Sequence, residues 1–449
     1  MISLKKLTPF TLPFLLAACG NDDLDPDAID APDTYEFNSL TDPSAMTSVD
    51  YSEATTRLVL IKELEYLINS EFLQDYGEQH DKEAVVALLN RVYREGTKPD
   101  STNNLASVNL YDNSTTPTPI KSINFTDDTT TFTALMSNVN LQEVIPGLNT
   151  NIPTREIQDI EGNGDFIGWR LEGNSNGNTY AIGMIQSWFE VIATLATDVD
   201  DLGNVNTASQ FSSNNINYRD LIISFLSASI PYFEVTNIHL HEDALEADNS
   251  HSTSSQSYTQ LEHHWDMAYG YFGTTITAKT QSLTSLLATQ SASLENANER
   301  IYDIAAEAAQ RDIDSLLNSS AISRSFINNT IDGRTLISLN KTSSLYQYRK
   351  NILDNWEKTL AATLIHHING SIGLGFTVNL DHWAHMKAYA LALQFNPNPL
   401  LSEQVLLDIH SLIGELPKVG NKNYLKDLLL ARDKIQASYN FPLSDVQKW

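Results

Sequence analysis

Between Tyr258 and Gly273 the chain packs two histidines, two carboxylates, five aromatic residues and two glycines into sixteen positions, the densest concentration of reactive side chains in the sequence. On a 3.6-residue period His264, Met267, Ala268 and Tyr271 share one helix face, while Glu262 and Asp266 share a second. Side chains one turn apart leave a helix with Cβ atoms about 5–6 Å apart, so imidazole and carboxylate at that spacing can offer two ligands to one cation. The chemistry suggested is metal binding through His263, His264 and Asp266, with Glu262, Trp265 and Tyr271 in support.

A related pattern returns 118 positions later, where His382-Trp383 matches His264-Trp265 and Tyr389 matches Tyr271. There His382, His385, Met386 and Tyr389 fall on one helical face, which adds His382 and His385 to the candidate ligands and Trp383 and Tyr389 to their supports. The two copies suggest an internal duplication, with the two imidazoles meeting across a cleft between halves. The alternative is that the His-Trp pairs only lock two bundles together by packing and buried hydrogen bonds.

Helices must position these residues. Leu58, Ile61, Leu64 and Leu67 recur at helical spacing in Tyr51–Ser70, and further helices are expected over Ala84–Glu95, Thr133–Val144, Ala181–Thr197 and Tyr218–Ser229. An acidic helix start is expected in Ile238–Asp248, which holds His239 and His241. A long apolar stripe predicts one bundle helix from about Gln281 to Leu317. Leu345–Ile368 should end in His366-His367-Ile368-Asn369 with Gly370 as its cap, and His366 and Asn369 one turn apart join the supporting set. Asn379–Gln394, Ser402–Ile413 and Asn423–Ser438 complete an all-α fold. Asp159–Asp165 imitates a calcium loop, but Arg170 stands where a bidentate glutamate is required, so a glycine-rich turn is expected.

The N-terminus reads as a signal peptide. A basic head with Lys5 and Lys6 precedes an apolar run too short to span a bilayer, and Leu16-Ala17-Ala18-Cys19 resembles a bacterial lipobox. Residues 1–18 would be removed and Cys19 acylated, anchoring the chain to a membrane, with Gly20 pointing to the outer membrane. Cys19 is the only cysteine, so stability must come from the core without disulfides. Residues 19–34 form an acidic tether ahead of a helical domain over 35–449, with halves at 35–275 and 276–449. A net charge of −28 argues against nucleic acid as a partner.

The run Tyr258–Gly273, the helix end His366-His367-Ile368-Asn369 and the segment from His382-Trp383 to Pro397 resemble the bacterial envelope lipoproteins grouped as domain of unknown function 4856. That family is similar to the imelysin-like proteins, all-helical proteins of two bundle-like halves associated with iron uptake and marked by Gly-x-His-x-x-Glu. The resemblance implies an envelope lipoprotein that binds iron or zinc in iron acquisition, with an outer-membrane receptor as a partner. Here the motif is altered: His264 is followed by Met267 and His263 by Asp266, and Leu261 or Glu262 stands in place of the glycine. Imelysin-like proteins are also classed with peptidases. This sequence carries no His-Glu-x-x-His run and no Gly-x-Ser-x-Gly elbow, so binding is favoured over turnover.

Overall fold

Amphipathic periodicity becomes helix almost throughout. The computed structural model describes residues 29–39, 41–42, 44–94, 141, 167–169, 181–198, 212–252, 256–291, 300–315, 321–372 and 377–449. Among them no strand forms, only isolated bridges between Ser252 and Thr259 and between Ile372 and Val378. The fold is an all-α bundle, and Ala31–Trp449 is one compact unit. The expected helix over Thr133–Val144, the Asp159–Asp165 turn and Cys19 with its signal peptide lie outside the described residues, apart from Leu141.

The first helices are α1 (Ser52–Asn69), α2 (Glu71–Gln79), α3 (Lys82–Tyr93) and α4 (Ala181–Thr197). Helix α5 (Tyr218–Phe233) is buried along its whole length and continues as a π turn, Glu234–His239. It is long and apolar enough to cross a membrane, yet 89% of that window is covered by the rest of the bundle, as befits a core helix. The switch to π geometry follows Pro231, which has no N–H to give the α ladder, and it brings residues five apart onto one side.

Helix α6 (Gln260–Phe272) carries the focal motif between a Thr259–Glu262 capping box and Gly273, which ends it in the left-handed conformation. Then come α7 (Leu283–Ala288), α8 (Asp303–Asp314), α9 (Ile322–Ser338), α10 (Leu345–Ser371), α11 (Leu380–Ala392), α12 (Glu403–Ile413), α13 (Lys422–Tyr439) and α14 (Leu443–Val446). Helix α11 packs broadly on α5 and α10, and α10 on α9.

Three expectations fail. The single helix over Gln281–Leu317 is broken. Tyr302 N–H bonds to the Gly273 carbonyl at 2.8 Å and its ring covers that glycine, so the chain runs extended into α8. Gly370 does not cap α10; it lies inside the last turn, where a Cβ would strike the His382 ring. Ile238–Asp248 starts no α-helix: it joins the end of the π turn to a short 3-10 turn at Asp243–Glu246.

Helix α9 escapes a periodicity reading because Asn328, Asn329, Thr330 and Gly333 weaken its helical propensity. Tertiary contacts override that. Asp312 of α8 accepts hydrogen bonds from the Ile322 and Ser323 N–H groups at 2.6 and 2.8 Å, acting as a remote N-cap. The Trp265 ring fills the space above Gly333.

Candidate functional site: a trihistidine cluster at the end of α10

His366 and His367 stand in the last two turns of α10, and the bridge between Ile372 and Val378 sets α11 back alongside, with His382 in its first turn. Asn379 receives one hydrogen bond from the Asp381 N–H at 3.2 Å and gives its own N–H to the Ser371 carbonyl at 2.9 Å, so the entry to α11 is held from both sides. Gly370 leaves room for the His382 ring against α10. Trp383, fully buried, donates its indole N–H to the Tyr424 hydroxyl at 2.6 Å, which in turn donates to the Ile413 carbonyl at 2.6 Å, fixing the rotation of α11.

The consequence is a cluster of three imidazoles. One ligating nitrogen from each of His366, His367 and His382 lies within 4.8 Å of the other two. His367 Nδ1 and His382 Nδ1 are 3.1 Å apart. The His385 ring stacks on His367 at 4.7 Å between centroids, and Tyr389 lies nearly parallel to His367 at 5.7 Å.

Burial sets the charge state of the cluster. Desolvation, then the cationic Arg311 and the neighbouring His382, push His366 down to about 4. Desolvation and the flanking imidazoles hold His367 well below the usual histidine range, and desolvation followed by His385 lowers His382. At neutral pH all three are uncharged and each has a lone pair to give.

His385 is committed elsewhere. Its Nδ1 meets Ser224 Oγ at 2.5 Å and its Nε2 faces Asp220 at 3.6 Å. It therefore packs on the cluster as a neighbour, and the third imidazole is His366, placed among the supports on sequence grounds. Asn369 holds the C-terminal segment, donating to the Val446 and Trp449 carbonyls at 2.7 and 2.9 Å. Acidic groups ring the same seam: Asp303 is bridged by Lys62 at 2.6 Å and Ser227 at 2.7 Å, and Glu307 accepts from Thr363, one turn before His367, at 3.4 Å.

The focal motif itself is divided between two tasks. Asp266 and Glu262, expected near the metal, are fully buried and grip Arg334 of α9 at 2.8 and 2.9 Å. Tyr35 also donates to Asp266 at 2.8 Å, and the Asp50 N–H approaches it at 3.3 Å. Asp266 is thus saturated by structural partners and is no ligand in this arrangement. Trp265 donates to the Thr330 carbonyl at 2.8 Å. His263 stacks on Tyr258 and meets the Asp50 carbonyl at 3.1 Å through Nδ1. His264 pairs with His239, Nδ1 to Nδ1, at 3.3 Å.

The two focal histidines do not converge. His385, one turn beyond His382, is bonded to Ser224 near the start of α5, whereas the partner of His264 is His239 at the far end of the π turn. Fifteen residues of nearly continuous helix separate Ser224 from His239, roughly 20 Å at 1.5 Å per residue. A shared inter-half cleft is therefore replaced by two histidine sites, one at each end of α5.

Sequence reading gave His367 no site role of its own, although the doubled histidine at a helix end was its signal. It also missed Arg334, which no local pattern marks. Residues 194–332 match the family model described as Domain of unknown function (DUF4856), a stretch that holds His239, His264 and Asp266 and ends before His366. No curated protein and no solved structure matches the chain.

Proposed function

We propose that this protein is a lipid-anchored envelope protein that captures a borderline divalent transition metal on His366, His367 and His382. The supporting observation is the convergence of three ligand nitrogens within 4.8 Å. Metal–imidazole bonds of 2.0–2.1 Å set neighbouring donors about 2.9–3.4 Å apart for octahedral to tetrahedral angles. The 3.1 Å between His367 Nδ1 and His382 Nδ1 falls inside that window.

An all-imidazole donor set favours zinc, copper, nickel or ferrous iron over ferric iron or calcium, which prefer oxygen. The surrounding acidity of Asp303, Glu307 and Asp220 would draw cations toward the seam. Envelope anchoring rests on the Leu16–Cys19 lipobox, and a role in metal acquisition on the family resemblance. Metal analysis of the purified mature chain after dialysis against zinc tests the reading. Zinc retained by the wild type and lost from His366→Ala/His382→Ala, with helicity kept, supports capture at this site. Equal retention by both chains would place the metal elsewhere, and no zinc in either would leave a structural role for the cluster.

A further inference from the structure

The histidine site at the other end of α5 repeats the trihistidine site in outline. Helix α1 carries Glu53-Ala54-x-x-Arg57 and α8 carries Glu307-Ala308-x-x-Arg311, and in each the arginine reaches back to its own glutamate, at 2.6 and 3.8 Å. A second helix then carries a histidine at or near its end, His239 closing the π turn and His367 one turn before the end of α10. A third opens with His-Trp, and its histidine meets the first one Nδ1 to Nδ1, at 3.3 Å for His264 and 3.1 Å for His382. Seven residues on, Tyr271 and Tyr389 lie beside His239 and His367 with ring centroids 5.8 and 5.7 Å apart. Three helices in one order, with the imidazole and tyrosine contacts repeated, are the mark of a duplicated unit, and they extend the His-Trp similarity to the partner helices.

We propose that the His239–His264 pair is a second, weaker binding site for the same class of metal ion, so that each repeat holds one. The inference rests on the metal-capture reading of the trihistidine site. The π turn places Glu234 five residues before His239, on the same side, with its carboxylate 3.4 Å from His239 Nε2. A carboxylate only accepts, so it favours the proton at Nε2 and leaves the lone pair at Nδ1, facing His264. This is the outer-shell arrangement by which carboxylates orient metal-binding imidazoles. Glu234 is fixed in turn by the Tyr271 hydroxyl at 3.4 Å and by Arg57 at 3.7 Å. His239 is 7% exposed, so its ring is placed by Glu234 on one side and His264 on the other rather than by solvent. Ile238 occupies the position of His366, which leaves two imidazoles where the other repeat has three.

Equilibrium dialysis of the full-length chain against Zn²⁺ tests this. The wild type should bind two equivalents, one of them measurably weaker for want of the third imidazole. His366→Ala/His382→Ala should keep only the weaker one. His264→Gln, and independently His239→Gln in case one variant fails to fold, should keep only the tighter one. A wild type with a single equivalent, or glutamine variants that still bind two, would overturn the second site and leave the first standing. A wild type that binds no zinc would overturn both.

Discussion

His367 and His382 face each other Nδ1 to Nδ1 across 3.1 Å, on two successive helices, α10 and α11. In a neutral pair one nitrogen donates and the other accepts, which settles two rings. His366 is the third, and a divalent ion satisfies all three lone pairs at once. His382→Ala should therefore lower zinc affinity by at least the roughly 10–100-fold typical of losing a supporting partner, while circular dichroism stays unchanged because the His382 side chain is half-buried. Competition with a chromogenic chelator measures it.

Gly370 offers a subtler test. A Cβ there would strike the His382 ring, whereas the exchange of glycine for alanine inside a helix gains about 1 kcal/mol of propensity. Gly370→Ala should leave the denaturation midpoint nearly unchanged, because strain and propensity oppose each other. Zinc affinity should fall about 10–100-fold, as expected when a ligand is turned out of register.

Arg334 is 0% exposed and holds two carboxylates that are equally buried. Arg334→Met leaves Glu262 and Asp266 buried and unpaired, and should cost about 3–5 kcal/mol in a urea titration. Adding Glu262→Gln and Asp266→Asn should recover part of that loss. Zinc stoichiometry should not change in either variant, since Asp266 is occupied in holding α6 to α9.

Lys387 is fully buried, and desolvation pushes its amine down to about 7, opposed by Glu415; among the described residues it donates to the Gly414 carbonyl at 2.6 Å. In the unfolded chain it titrates near the ordinary lysine value of about 10.4. Between those two values the unfolded chain holds a proton that the folded chain lacks, so Lys387 makes stability rise with pH from about 7 toward 10.4, and below about 7 the penalty stays constant. Lys387→Met should be more stable at pH 7 by about 1–4 kcal/mol. Its advantage should shrink as pH rises toward 10, read from urea midpoints at each pH.

Much of the fold was legible because apolar residues at helical spacing leave little choice. Ala181–Thr197 is recovered to the residue, and Tyr51–Ser70 and Ser402–Ile413 to within one. Helix α9 was not legible, since its capping carboxylate, Asp312, and its packing partner, Trp265, lie elsewhere in the chain. The site was half legible. Residue types and the His-Trp repeat pointed to the correct helices, but which histidine meets which depends on tertiary return. His382 meets His367 across fifteen positions and His264 meets His239 across twenty-five. Asp266 looked like a ligand because an ion-pair partner 68 positions away leaves no trace in local sequence.

The most direct measurement is anomalous diffraction at the zinc absorption edge from crystals of the mature chain soaked in Zn²⁺. A peak is expected about 2.0–2.1 Å from a nitrogen of each of His366, His367 and His382. Crystals whose zinc sits only on surface carboxylates, with His367 and His382 still joined by a direct hydrogen bond, would contradict it.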